Sequence, residues 1–502
     1  MLAQFHELAT SLGFIPRLES SDWGINPEKL SFLILLATCA ALWFDISTKR
    51  ITRRKLPKLQ AFVQELSRER RFPELLELVT HNLPEVAKAY HANYFLSRVR
   101  NRLSSYRDPL SFHLASLNDP GDQLAKPNSI EYRFLTIAAK RLSPLLPAYT
   151  KEADAARIII HEVLANKKSV VGGIGSQPYY AIPFYGHKFF EYQDFFCLYL
   201  ESLAADSSSV LYQELRNNQS KSYDLKYNLD ASNRLLYFLF YDCKTAFELA
   251  PYKAIGEAVI DELDDLHYRG TADNYNSPLL KFDDEEKWHS RVFMGIRFFD
   301  VMICEALHQD IEWHMWLYYF PEFAKRIARN IDPSAKHVDE SAEFPTRYHY
   351  LLYELISCLC DWATGALHIP ATQKNAIIED ENPTHENGNI PKSAMLALGL
   401  IVKEILTLDK YEQSFRIYIL EIVFRGYFEL RQSNKGLANH AAAMLNAVRN
   451  GGPSFRLQPG PHSETLVETF NNMDLIPYNH EAVTETRYIL ESDRDAWNHD
   501  AA

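Results

Sequence analysis

The chain has 502 residues, 47% of them hydrophobic, and a formal net charge of −12 at neutral pH. That apolar fraction excludes a disordered chain, and the length has room for two or three domains with a sizeable core. The charge excludes broad attraction to nucleic acid phosphates or anionic lipid, so any such contact must be confined to a local basic surface.

Residues 1–29 form a short N-terminal segment carrying Arg17 and Lys29 against Glu7, Glu19, Asp22 and Glu28. An uncharged stretch follows over residues 30–44, ending at Asp45. As a helix, residues 30–46 reach roughly 26 Å, slightly less than the hydrocarbon layer of about 30 Å. Leu30, Phe32, Leu33, Ile34, Leu35, Leu36, Leu42, Trp43 and Phe44 would supply the lipid-facing surface, with Trp43 and Trp23 at the interfaces. Behind the stretch, Lys49, Arg50, Arg53, Arg54, Lys55 and Lys58 follow without an intervening acid. Cations stay on the cytoplasmic side, which predicts one crossing with the bulk of the chain in the cytoplasm. A cleavable signal peptide is not expected, because the charged region follows the apolar part instead of preceding it. The competing reading is a buried helix in a soluble bundle, and an in-plane amphipathic helix fits least because the stretch has no polar face.

Residues 47–168 read as a basic, membrane-proximal helical domain. Between 49 and 107 there are fourteen Lys/Arg, Arg98, Arg100 and Arg102 among them, against five acids. Next to a bilayer such a cluster contacts lipid headgroups, and nucleic acid binding is the alternative for the same segment. A basic helix is expected over 47–71, followed by a helix, turn, helix unit with Pro73 and Pro84 at helix starts. Its Leu/Ala pattern suits the hairpins that stack into solenoids, although no tetratricopeptide or ankyrin signature repeats at a fixed period.

Residues 169–186, SVVGGIGSQPYYAIPFYG, break the helical rhythm with glycines, prolines and aromatics. The expectation is a structural loop, with a short hairpin within reach. Gly172, Gly173 and Gly175 are the only candidate nucleotide loop, but a phosphate cradle needs a helix directly after it and usually Lys-Ser/Thr at its end, where Gln177 and Pro178 stand instead.

A main acidic helical domain is expected over 187–450, with helices near 187–205, 229–249, 251–268, 284–309, 311–330, 344–367, 392–408, 410–433 and 435–449, and a disordered acidic loop over 372–392. Residues 451–502 are read as a tail with one or two short helices that dock back or fray. Low glycine content and apolar residues three and four apart make the fold class all-α, a single N-terminal transmembrane helix followed by a solenoid-like or irregular bundle body.

Chemistry is sparsely encoded. Glu305, His308 and Glu312 share a helical face, and Glu-x-x-His is half of a di-iron carboxylate motif, but the second half is imitated only by Asp264 and His267. Asp261, Asp264 and Asp265 lack the alternate-residue spacing of a calcium loop. No Gly-x-Ser-x-Gly elbow occurs, and the six cysteines show no zinc or disulfide spacing, which suits a reducing compartment. No metal or other cofactor is expected. The reading is a membrane-tethered cytoplasmic scaffold, sensor or assembly subunit, suited to a bacterial inner membrane, whose partners are the lipid bilayer and other protein subunits. The alternatives are a metal- or nucleotide-dependent helical-bundle enzyme and a nucleic-acid-binding module through residues 49–107.

Overall fold

A computed structural model describes residues 35, 37, 38, 52–92, 137, 151–269, 275–279, 285–309, 311, 315–332, 343–369, 390–433, 436–452 and 461–501. Every regular element among them is helical, so the all-α class holds. The chain divides into two compact units, Met1–Val163 and Leu164–Ala502.

In the first unit, a 3-10 turn Arg53–Lys55 leads into α1 (Leu56–Arg68), which buries Leu56, Leu59, Val63 and Leu66 on one stripe. The spacing of three and four is that of a helix facing a core. Arg70, at φ 60°, turns the chain into α2 (Phe72–Tyr90), whose buried face includes Leu75, Leu76, Val79, Leu83 and Val86. Pro84, expected at a helix start, lies inside α2. Its missing N–H costs one helical hydrogen bond, which the apolar face of α2 outweighs. α3 (Lys151–Leu164) belongs to this unit up to Val163: Ser67 Oγ donates to the Glu162 carboxylate and the Arg157 guanidinium lies over the Tyr90 ring. Arg53, Arg54, Lys55 and Lys58 are exposed, while Lys49, Arg50, Arg98, Arg100 and Arg102 lie outside the described residues.

Among the described residues no helix is long and apolar enough to cross a membrane. Of the expected anchor, Leu35 is described, helical and 46% exposed, whereas Leu30, Phe32, Leu33, Ile34, Leu36, Leu42, Trp43 and Phe44 lie outside the described residues.

The second unit opens with a correction. Residues 169–186 are neither a plain loop nor a hairpin: Lys167–Ile174 is helical (α4), with Asn166 as N-cap accepting from the Lys168 N–H, and Ile182–Tyr185 is a helical turn (α5). Gly172 and Gly173 are tolerated inside α4 because Ser169, Val170 and Gly173 are buried, α4 packing on α6 (Tyr192–Ala204). Packing offsets a glycine cost of about 1 kcal/mol each. Pro183 sits in the first turn of α5, where a missing N–H costs nothing.

α7 (Val210–Asn217) was not anticipated from the sequence, and the expected single helix 229–249 is two, α8 (Arg234–Phe240) and α9 (Cys243–Leu249), split where Asp242 caps α9 through the Lys244 N–H. α10 (Pro251–Arg269), α11 (Arg291–Leu307), α12 (Tyr319–Asn330), α13 (Arg347–Thr364), α14 (Ile390–Thr407), α15 (Gln413–Gln432) and α16 (Ala438–Asn450) follow, near the anticipated spans. α11 is the axis of the unit, buried from Val292 to Ile296 and again from Phe298 to Cys304, and it packs against α10 and α13. α13 in turn packs on α14 and α15, and α14 crosses α16 where Gly399 meets the Ala447 carbonyl. The C-terminal region holds α17 (Ser463–Asn471) and α18 (His480–Ala501), a long helix where only short ones were expected. Most of the loop anticipated over 372–392 lies outside the described residues.

Candidate functional site

The sequence RVFMGIRFFDVMICEAL of α11 carries charges near its two ends, Arg291 and Glu305, and two more in its apolar middle, Arg297 and Asp300, three residues apart and therefore on one face. Asp300 is wholly buried. Its carboxylate accepts from Lys221 Nζ at 3.3 Å, Arg297 Nη1 at 3.2 Å, Trp362 Nε1 at 3.0 Å, the Tyr227 hydroxyl and the Cys304 thiol. Lys221 also pairs with Asp361 at 2.5 Å, and Arg297 Nη2 donates to the Gln219 carbonyl at 3.1 Å and to the Tyr227 hydroxyl at 2.8 Å. A buried charge this well surrounded is satisfied, which is the condition for its being tolerated.

Burial pushes the Asp300 carboxyl up, but Lys221 and Arg297 outweigh it and bring the pKa down to about 2. Burial also pushes the Cys304 and Cys358 thiols well up, so neither is a thiolate. Thiols held in their neutral form are poor nucleophiles, and the oxygens of the wholly buried Asp300 carboxylate are already occupied by five donors.

Residues 218–233 join α7 to α8 as a strap over α11. At the base of the strap Asn218 Nδ2 donates to the Glu214 carbonyl at 2.7 Å, and the buried Glu214 carboxylate accepts the Leu235 and Leu236 N–H groups at the start of α8. Its middle carries Lys221 and Tyr227 to Asp300. Leu225 and Asn228 adopt positive φ, which lets the strap turn back on itself.

Glu305 and His308 grip this strap. Glu305 Oε1 accepts the Tyr227 N–H at 2.8 Å, and His308 Nε2 donates to the Asp224 carbonyl at 2.6 Å. Desolvation raises the Glu305 pKa and lowers that of His308. Glu312 lies outside the described residues, and no group of three potential metal ligands occurs among those described. Asp264 accepts from Arg326 and Arg329 of α12, and so ties α10 to α12. Gly172 and Gly173 lie within α4 and Gly175 at its end, and the Gly173 carbonyl accepts from the Gln177 N–H and the Ser176 hydroxyl, as at an ordinary helix C-terminus.

The buried centre was missed in the sequence. The signal was there: between Val292 and Cys304 an Arg-x-x-Asp pair supplies the charges of an otherwise uncharged stretch, and marks a carboxylate that must find partners inside.

A different kind of site lies on the surface. Tyr252, Lys253, Glu257 and Ile260 of α10 face Tyr318, Tyr319 and Glu322 across a groove of about 560 Å³. Gly256 lets the Tyr319 ring lie directly against α10, where a side chain would collide with it. Tyr319 donates from its hydroxyl to Glu257 Oε1 at 2.9 Å, and Tyr252 packs edge-on to Trp316 with ring centroids 5.9 Å apart. Arg326 pairs with Glu322 at the rim.

Comparison of the chain with protein-family models, with curated proteins and with solved structures finds no match.

Proposed function

We propose that the chain is a helical scaffold or assembly subunit that works through protein contacts, tethered to a membrane by residues 30–46 with its body in the cytoplasm. One observation carries the protein-binding part. The ionisable groups best placed for chemistry, Asp300, Glu305 and His308, are used up in holding the chain to itself, while aromatic side chains are turned outward: Phe190, Tyr223, Tyr241, Tyr268 and Tyr488 are each at least 69% exposed. Aromatic residues, tyrosine above all, are enriched where proteins meet. Successive helices that pack as neighbours, α10 on α11 and α15 on α16 among them, suit a solenoid-like or irregular bundle body with broad surfaces.

The tether rests on the uncharged stretch 30–44 and the six cations behind it. Fractionation and alkaline carbonate washing test it: full-length chain stays in the membrane pellet, and a chain beginning at Lys58 is soluble. Release of the full-length chain into the wash removes the tether. For the scaffold, membranes solubilised in mild detergent are run on a native gel and a second denaturing dimension. Migration of the chain as a lone monomer, with no stoichiometric second polypeptide, refutes it.

A further inference from the structure

The groove between α10 and the start of α12 has walls of unlike character. Tyr252, Tyr318, Tyr319 and Ile260 are apolar surfaces, Tyr318 being 44% exposed, and the exposed Glu257 carboxylate stands among them, held in place by the Tyr319 hydroxyl. Tyrosine faces carry partial negative charge and attract a cation within about 6 Å, an ammonium or guanidinium above all. The long aliphatic stem of lysine or arginine lies along apolar surface while its head seeks an anion. Among the described residues Lys253 is the cation lining the groove, and since Glu322 is paired with Arg326 at the rim, Glu257 is the carboxylate left to face an incoming cation. Beyond residue 58 the chain holds 45 Lys/Arg against 60 Asp/Glu, so its long-range field also draws cations.

We propose that this groove docks an arginine-bearing apolar segment of a protein partner. The guanidinium lies against the tyrosine rings and pairs with Glu257, and neighbouring apolar side chains rest on Ile260 and Tyr252. A volume of about 560 Å³ takes a few side chains, not a whole helix face. The proposal rests on the scaffold reading and names the chemistry that one of its surfaces selects.

The test uses the full-length protein and two defined peptides, Ac-Leu-Arg-Leu-Arg-amide and Ac-Leu-Glu-Leu-Glu-amide, with tryptophan emission as readout because Trp316 packs on Tyr252. The arginine peptide binds and the glutamate peptide does not, and binding weakens as salt rises. Glu257→Gln and Tyr318→Ala each weaken it about two- to fivefold, whereas Tyr318→Phe, which keeps the ring, and Tyr488→Ala, on α18, leave it unchanged. Urea melts confirm that each variant keeps the parent fold. No binding of the arginine peptide at millimolar concentration, equal binding of both peptides, or binding indifferent to both Glu257→Gln and Tyr318→Ala overturns the proposal. None of these results touches the native-gel test of the scaffold, which uses no groove variant.

Discussion

Replacing Asp300 with asparagine removes the buried carboxylate charge that Lys221 and Arg297 share inside the second unit. The side chains of the two cations are only 22% and 12% exposed, so water screens them little. Breaking a buried pair by deleting one member costs about 3–5 kcal/mol. Lys221 keeps Asp361 and Arg297 keeps the Gln219 carbonyl and the Tyr227 hydroxyl, which places the expected loss at the lower end, about 3 kcal/mol. The carboxyl's fall from 3.8 to about 2 points the same way and is of the same order, roughly 2–3 kcal/mol. A depressed acid contributes stability that is complete above the unfolded value of 3.8 and is lost as pH falls toward 2. The parent therefore loses this share between pH 3.8 and 2, and the Asp300→Asn variant does not. Urea unfolding at pH 7, followed by tryptophan emission, gives the loss, and trypsin gives its location: the variant is cut first after Lys221 or Lys226, in the strap, and the parent is not. Lys221→Met added to Asp300→Asn recovers at least about 1 kcal/mol, because the two residues share one interaction. An Asp300→Asn variant within about 1 kcal/mol of the parent refutes the charge centre as the fastening of the strap.

His349, 5% exposed between the Tyr411 and Phe415 rings with Thr346 Oγ1 2.8 Å from Nδ1, has its pKa pushed down by burial to about 4. The folded state excludes a proton that the unfolded chain takes up below 6.5, so stability falls by about 3 kcal/mol from pH 6.5 to 4, and His349→Gln flattens this slope; equal slopes refute the burial argument. Gly399→Ala drives a methyl onto the Ala447 carbonyl oxygen and destabilises by about 1–3 kcal/mol in urea, whereas Gly175→Ala, open on all sides with ordinary helical φ, is neutral or stabilising by up to about 1 kcal/mol. Lys410 Nζ caps the end of α12 by donating to the Ala328, Arg329 and Ile331 carbonyls, and Lys410→Met lowers stability by about 1–2 kcal/mol, an amount that a surface lysine making no such bonds would not cost.

The long helices were legible because their apolar spacing is regular and tertiary packing agrees with it. α10, α13 and α15 fall within a few residues of their expected spans. Errors came where local rules and packing disagree. Glycine and proline forecast a break at 169–186, but buried Val170 and Ser169 hold α4 against α6, and Pro183 stands where helices accept proline. Pro84 is carried inside α2 for the same reason, since a buried stripe over five turns outweighs one missing donor. α7 escaped notice because it is eight residues long, too short for its period to stand out between the Asp-Ser run and the polar strap.

Glu305 and His308 show how one spacing serves more than one kind of chemistry. Spacing places both on one helical face, and in the structure that face meets the strap. Side chains grouped to bind a metal and side chains grouped to bind backbone share that spacing; they differ in what stands opposite. Here the Tyr227 N–H and the Asp224 carbonyl stand opposite, 78 and 84 residues away in sequence, on a segment that carries no periodic signal. The strap is polar and without helix, so its backbone groups need partners once it lies against a helix as apolar as α11. Asp300 takes its Lys221 and Tyr227 side chains, Arg297 takes the Tyr227 hydroxyl and the Gln219 carbonyl, and Glu305 and His308 take its main chain. Arg297, Asp300 and Glu305 of α11, with His308 at its C-cap, thus answer one requirement, the satisfaction of an irregular segment over a buried helix, and that requirement becomes visible only when the strap and the helix are seen together.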